Sequence, residues 1–240
     1  DQIACVIMEP VGVVEPSEGY LKQVKDICHK NGALLIFDEV LTGFRIAYGG
    51  AQERYGVVPD LACYAKALAN GYPLSVVGGR RDVMELFDDI FFSFTFGGDA
   101  LSLAAGQATL AKMQNEPVFE HLWRQGQKLQ DGYNDLAREH GIGELTRCIG
   151  LAPRTVATFS DQKSGQPSLE LRSLMQQELV RRGVLFLFGF NISYALSDTD
   201  VDHTLEALRS TMGVMASAID SGDVASWVDG KIVQPVFRQA

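Results

Sequence analysis

Ala33-Leu34-Leu35-Ile36-Phe37-Asp38-Glu39-Val40-Leu41-Thr42-Gly43-Phe44-Arg45 is the stretch on which the fold turns. Its first five residues form an unbroken apolar run, the pattern of a strand buried within a parallel sheet. Upstream, the spacing of Leu21, Val24, Ile27 and Cys28 predicts a helix capped by Ser17, and Asn31-Gly32 ends it. Earlier still, Ile3-Ala4-Cys5-Val6-Ile7-Met8 predicts a second buried strand, broken by Glu9-Pro10. Downstream, Pro59 precedes Leu61-Ala62-Cys63-Tyr64-Ala65, a third strand, and residues 74–79 predict a fourth. Strands alternating with amphipathic stretches predict an α/β unit on a mainly parallel sheet.

The remainder reads differently. Ala100 to Met113 predicts a helix with small residues on one face. From Glu116 to about His140 runs a long charged helix whose buried stripe is Val118, Leu122, Leu129, Tyr133 and Leu136. Beyond Gly141 come a strand, Thr155-Val156-Ala157-Thr158-Phe159, a helix to Arg182, strands at 184–188 and around 192–196, and a last helix over 200–219. These make a second, smaller α+β unit. The apolar run at 184–188 reads as core rather than pocket.

Composition narrows the function classes. The 240 residues are 46% hydrophobic and 21% charged, an ordinary globular balance, with a formal net charge of −9. With no basic cluster, nucleic acid is not an expected partner. No apolar run reaches the roughly 18 residues of a membrane span, and no secretory signal is evident. Cys5, Cys28, Cys63 and Cys148 are scattered, and His29, His121, His140 and His203 are solitary, so neither zinc nor a disulfide framework is expected. Reduced thiols suit a cytoplasmic location. The chain enters an apolar run directly after Asp1, so further sequence upstream is expected.

Asp38 and Glu39 close the second strand, and open parallel sheets bind ligands beyond the carboxyl ends of their strands. They read either as ligand-facing acids or as an exposed pair. Lys66 follows the third strand among small residues, Tyr64-Ala65-Lys66-Ala67-Leu68-Ala69. It reads either as a helix-start lysine reaching solvent or as a desolvated amine, the form that attacks an aldehyde. A lysine and an acid on adjacent strand ends suit pyridoxal phosphate (PLP), which needs the amine at its aldehyde carbon and a carboxylate at its pyridine nitrogen.

Met8-Glu9-Pro10-Val11, the run from Leu35 to Arg45, Pro59-Asp60-Leu61, Ala65-Lys66-Ala67-Leu68 and Gly71-Tyr72-Pro73-Leu74 resemble, in this order, the class III aminotransferases. Phe44-Arg45-Ile46-Ala47-Tyr48-Gly49-Gly50-Ala51-Gln52 and Val77-Gly78-Gly79-Arg80-Arg81-Asp82 are most similar to the glutamate-1-semialdehyde aminomutase branch. The matching is dense over about residues 3–110 and follows only the order of elements thereafter. The resemblance implies fold type I: residues 1–115 as the carboxyl-terminal part of a large three-layer α/β/α PLP-binding domain, and 116–240 as a linking helix and small α+β domain. It implies a Schiff base on Lys66, which then shuttles a proton, with Asp38 at the pyridine nitrogen and Val40 against the ring. Thr95, in Ser93-Phe94-Thr95-Phe96-Gly97-Gly98, would reach the cofactor phosphate of a neighbouring subunit, implying a homodimer; otherwise it is a loop residue beside a flexible turn.

Two departures lean away from aminomutase activity. Phe96-Gly97-Gly98-Asp99-Ala100 stands where that branch carries Leu-Ser-Gly-Asn-Pro, and Asn191 stands where it carries a glutamate. The expectation is therefore a transaminase acting on a small amino donor and a carbonyl acceptor. The alternatives are the aminomutase that makes 5-aminolevulinate, and a non-catalytic fragment without cofactor. The family's phosphate-binding turn and ring-stacking aromatic lie upstream of the matched stretch, which leaves apolar faces of the sheet open and predicts poor solubility for these 240 residues alone. Arg154 reads as a clamp for a substrate carboxylate or as a surface arginine.

Overall fold

The first six elements are β1 (Cys5–Met8), α1 (Tyr20–Lys30), β2 (Leu34–Asp38), α2 (Gly50–Tyr55), β3 (Leu61–Tyr64) and β4 (Val76–Gly79), followed by α3 (Arg81–Met84) and α4 (Ala100–Asn115). They belong to the first of two units in the computed structural model, Asp1–His121 and Leu122–Ala240. Residues 2–234 are described. The four strands form one sheet in the order β1-β2-β3-β4. β1, β2 and β3 are parallel, whereas β4 pairs antiparallel with β3. The connection at 65–75 holds only a short 3-10 turn and is too brief for a parallel crossover, so β4 returns alongside β3.

β2 owes its place to alternation. Leu35 and Phe37 are fully buried, packing with Leu21 and Cys28 of α1 and with Ala62 of β3. Each such apolar side chain contributes roughly 1.5–3 kcal/mol. Two sequence expectations need correction here. β1 is exposed rather than buried, with Ile7 61% exposed, and among the described residues it lies at the edge of the sheet beside β2. Ser17 does not cap α1: its carbonyl accepts from Tyr20 N at 3.0 Å, and Gly19, left-handed at φ 76°, occupies the cap position.

One buried acid ties the elements of this unit. Asp60 Oδ2 accepts from Leu35 N at 2.7 Å and meets His29 Nε2 at 2.9 Å, while Oδ1 accepts from Arg80 Nη1 at 2.8 Å. His29 is thus partnered, not solitary. Burial of Asp60 opposes its charge, but the Arg80 guanidinium, the Leu35 amide and His29 outweigh it and hold the carboxyl at about 2. A depressed native pKa stabilises above the unfolded value near 4, and that stabilisation is lost as pH falls from about 4 to about 2. Asp60 should therefore contribute on the order of 2 kcal/mol at neutral pH. Urea midpoints recorded from pH 6 to pH 2.5 should fall more steeply for the natural chain than for Asp60→Asn. Parallel pH dependences would show that the cluster does not act this way.

α5 (Val118–Glu139) begins in the first unit and continues into the second, which also holds β5 (Thr146–Leu151), β6 (Arg154–Phe159), α6 (Leu169–Arg181) and α7 (Asp198–Ser221). The stripe Val118, Leu122, Leu129, Tyr133 and Leu136 is buried as its spacing predicts. β5 and β6 form an antiparallel hairpin. The Asn134 side chain brackets β5, accepting from Cys148 N at 2.9 Å and donating to Cys148 O at 3.0 Å. α7 opens with a capping box between Ser197 and Asp200, and its Leu208, Met212 and Met215 are fully buried. The strands expected at 184–188 and 192–196 are absent as strands. Their backbone runs beside β6, with Ala157 N donating to Phe188 O at 2.7 Å and Thr155 N to Phe190 O at 2.9 Å. Pairing stops there at a single bridge, Arg154 with Asn191.

Candidate active site

Asp38 lies opposite Cys63 in the parallel register of β2 and β3, so both strands end at the same edge. Just beyond, Lys66 opens a 3-10 turn, Lys66–Leu68. Its φ of 44° is in the left-handed region, a conformation that costs a non-glycine residue roughly 1–2 kcal/mol. Buried Ala67, Leu68 and Ala69 hold the turn, and Lys66 O accepts from Asn70 N at 2.9 Å. Strain retained at the end of a strand marks a position whose geometry matters. The desolvated lysine is not what the fold produces here. Ala67 turns inward while Lys66 is exposed, and among the described residues no carboxylate pairs with its amine.

The two acids of β2 part company. Asp38 is half-buried, and its Oδ1 accepts from Val40 N at 3.0 Å. Val40 is likewise half-buried. Glu39 is 0% exposed, which overturns the exposed-pair reading for this residue. Its Oε2 accepts from Thr42 Oγ1 at 2.9 Å and from Ala51 N at 2.6 Å. Its Oε1 accepts from Gln52 N and Gln52 Nε2, both at 3.3 Å. Gln52 Nε2 also donates to the Tyr64 hydroxyl.

Two glycines make room for this arrangement. A Cβ at Gly50, where φ is 65°, would overlap the Glu39 carboxylate, and a Cβ at Gly43 would overlap the Tyr64 ring. Phe44 sits 5.4 Å from Tyr64 and 5.9 Å from Tyr48 between ring centroids. Burial and then the nearby Asp38 charge push the Cys63 thiol up, and burial and then Glu39 raise the Tyr64 hydroxyl. Gln52 and Tyr64 carry no signal as single residues, and only the packed loop shows their part.

Thr95 is exposed in a loop with Phe91, Phe92, Phe94 and Phe96, all strongly exposed. It lines a cavity of about 640 Å³ with Ser75, Val76, Val77 and Ser93. No hydrogen bond among the described residues joins it to Asp38, Val40 or Lys66. Asp99, at the end of that loop, caps α4 by accepting from Ser102 N at 2.8 Å. Arg154 belongs to the second unit, where it opens β6, is half-buried, and has no ion pair among the described residues. No group of three His, Cys, Asp or Glu able to hold a metal occurs among the described residues, and no helix there is long and apolar enough to cross a membrane.

In the first unit a carboxylate with one oxygen engaged closes β2, and an exposed primary amine follows the end of the adjacent parallel strand β3. Such a pair can bond a carbonyl carbon at one end of a ligand and accept a hydrogen bond from the other.

Known proteins share this arrangement of elements. The glutamate-1-semialdehyde 2,1-aminomutase of Alkaliphilus oremlandii is 37% identical over 227 residues, covering 90% of this chain and 53% of the relative. That of Syntrophobacter fumaroxidans is 39% identical, covering 86% and 51%. Among solved structures, a PLP form of the FumI protein of Sphingopyxis sp. MTA144 superposes with a TM-score of 0.84 at 27% identity, over 91% of this chain and 53% of that one. An omega-transaminase from Sphaerobacter thermophilus gives 0.77 at 25% identity, over 87% and 51%. The chain spans about half the length of the curated relatives it matches. The expected fold class, fold type I α/β, therefore holds. The aminotransferase class-III family model matches residues 1–211, and the chain belongs to that family.

Proposed function

We propose that this chain carries the lysine-bearing part of a PLP-dependent enzyme of amino-group transfer, a class III transaminase related to the aminomutases. The observation that carries the reading is the pair Asp38 and Lys66 on adjacent parallel strand ends, with Lys66 held in a left-handed turn. Residues 1–115 would supply the carboxyl-terminal part of the large domain and 116–240 the linking helix and small domain.

The donor set suits the cofactor. Lys66 has no competing carboxylate among the described residues, and Val40 N occupies only Oδ1 of Asp38. PLP, when bound, supplies a carbonyl for amines and a ring that accepts the electrons of an adjacent carbanion. Lys66 Nζ would hold the aldehyde carbon, yield that place to the amino donor, and then move a proton to and from the substrate carbon. Asp38 would keep the pyridine nitrogen protonated, and Val40 would orient the ring. Thr95 would serve a phosphate across a homodimer, a role supported by the exposed phenylalanines around it, an aromatic patch of the kind that marks interfaces. Arg154 would pair with a substrate carboxylate. A cytoplasmic location fits the scattered free thiols.

The kinship with aminomutases favours a second reading, intramolecular transfer converting glutamate 1-semialdehyde to 5-aminolevulinate. Asn191 and Gly97-Gly98 argue for the transaminase. Purified chain mixed with PLP should develop a band near ~420 nm, estimated for a lysine-bound form. An amino donor should bleach it and an external keto acid restore it. Turnover of glutamate 1-semialdehyde without external acceptor would favour the aminomutase. A preparation that stays colourless would reject both in favour of a cofactor-free chain.

A further inference from the structure

Glu39 is the acid of the 38–45 stretch for which the proposed chemistry has no use, yet it is wholly buried. Among the described residues its carboxylate faces neutral donors: the Thr42 hydroxyl, the backbone amides of Ala51 and Gln52, and the Gln52 side chain. A buried carboxylate without a cation is costly, so its place here demands a reason. The reason is geometric. Glu39 N donates to Cys63 O at 2.9 Å, and Glu39 O accepts from Gly43 N at 2.9 Å. Its carboxylate seizes the start of α2, and Gln52 passes the connection on to the Tyr64 hydroxyl at the end of β3. Three segments thereby meet at one side chain: the end of β2, the start of α2 and the end of β3. The first delivers Asp38 and Val40, and the third delivers Lys66.

We infer that the Glu39–Gln52–Tyr64 chain is a positioning device that fixes the separation of Asp38 and Lys66 and seats Val40. The inference rests on the PLP reading above. The β2–β3 ladder ends at Asp38 and Cys63; beyond it, among the described residues, the backbone bond from Glu39 N to Cys63 O and the packing of Phe44 on Tyr64 join the two segments besides the side-chain chain. A planar ligand held at one end by Lys66 and at the other by Asp38 tolerates little drift between them. The Gly43 and Gly50 positions fit the same account, since side chains there would displace Tyr64 or Glu39.

The test compares the natural chain with Gln52→Leu and Tyr64→Phe, with Glu39→Gln as a harsher variant whose folding is checked first. Tyr64→Phe keeps the ring against Phe44 and removes only the hydroxyl. PLP affinity is read by absorbance titration and ring placement by the circular dichroism of the bound cofactor. Amide exchange over residues 40–47 is followed in cofactor-free protein. PLP affinity should fall about 10-fold in both milder variants, in line with supporting residues at other bound groups. The induced dichroism should shrink and exchange over 40–47 should quicken. Unchanged affinity and dichroism beside a normal band in the natural chain would overturn the inference, whatever happens to Tm, and leave Glu39 an anchor of the fold alone. A natural chain that forms no band would overturn the proposed function, and the inference with it.

Discussion

Replacing Lys66 by alanine is expected to abolish covalent attachment of PLP and to slow amino-group transfer by at least about 10²–10⁴-fold, the share that a positioned proton-transfer group supplies. The effect should exceed that share, because under the proposed function the same amine would also hold and release the cofactor aldehyde. Lys66→Arg should fail as completely, since a guanidinium keeps the charge but is neither nucleophile nor base near neutral pH. Neither variant should unfold the chain: the side chain is exposed, and the turn is held by its backbone and by buried Ala67, Leu68 and Ala69. Borohydride reduction followed by peptide mass analysis reads the outcome directly. The adduct should sit on Lys66 in the natural chain and vanish in both variants. A label on another lysine, or a band surviving in Lys66→Ala, would defeat the assignment.

Phe186→Ala should cost about 3–5 kcal/mol of stability, while Leu185→Ala beside it should fall within about ±0.5 kcal/mol. Phe186 is 2% exposed within the core of the second unit, among residues including Leu179 and Leu208, and Leu185 is 88% exposed. Urea unfolding monitored through the second unit would check the contrast. Similar losses at both positions would mean that Leu185 is covered in solution. The pair matters because the run Val184-Leu185-Phe186-Leu187-Phe188 reads from sequence as apolar core, whereas only Phe186 is buried, Val184 is half-buried, and Leu185, Leu187 and Phe188 are exposed.

That run illustrates what the amino acids disclose and what they hide. β2, β3 and the order of the motifs around Asp38 and Lys66 were legible, because an apolar run ended by acids leaves few alternatives. So was the stripe of α5, whose five buried residues repeat at helical spacing. β5 was missed because Thr146, Arg147 and Gly150 dilute its alternation, although Cys148 and Leu151 point inward. The strand at 184–188 failed for the opposite reason: its β-type composition meets only part of an edge on which to pair. Burial of β1 could not be judged, since an apolar strand has the same composition at an edge as in the middle of a sheet. Within the site, Asp38 and Glu39 looked like one feature. Side-chain direction alternates along a strand, and nothing in a dipeptide says which member turns into the core.

The divergence of those two acids bears on how copies of this gene would decay. A lineage released from selection for the reaction could lose Asp38 and Lys66 freely, yet would still be held to Gly43 and Gly50, where a side chain would overlap Tyr64 or Glu39. A sequence that keeps those glycines without Asp38 and Lys66 would be a folded but silent descendant.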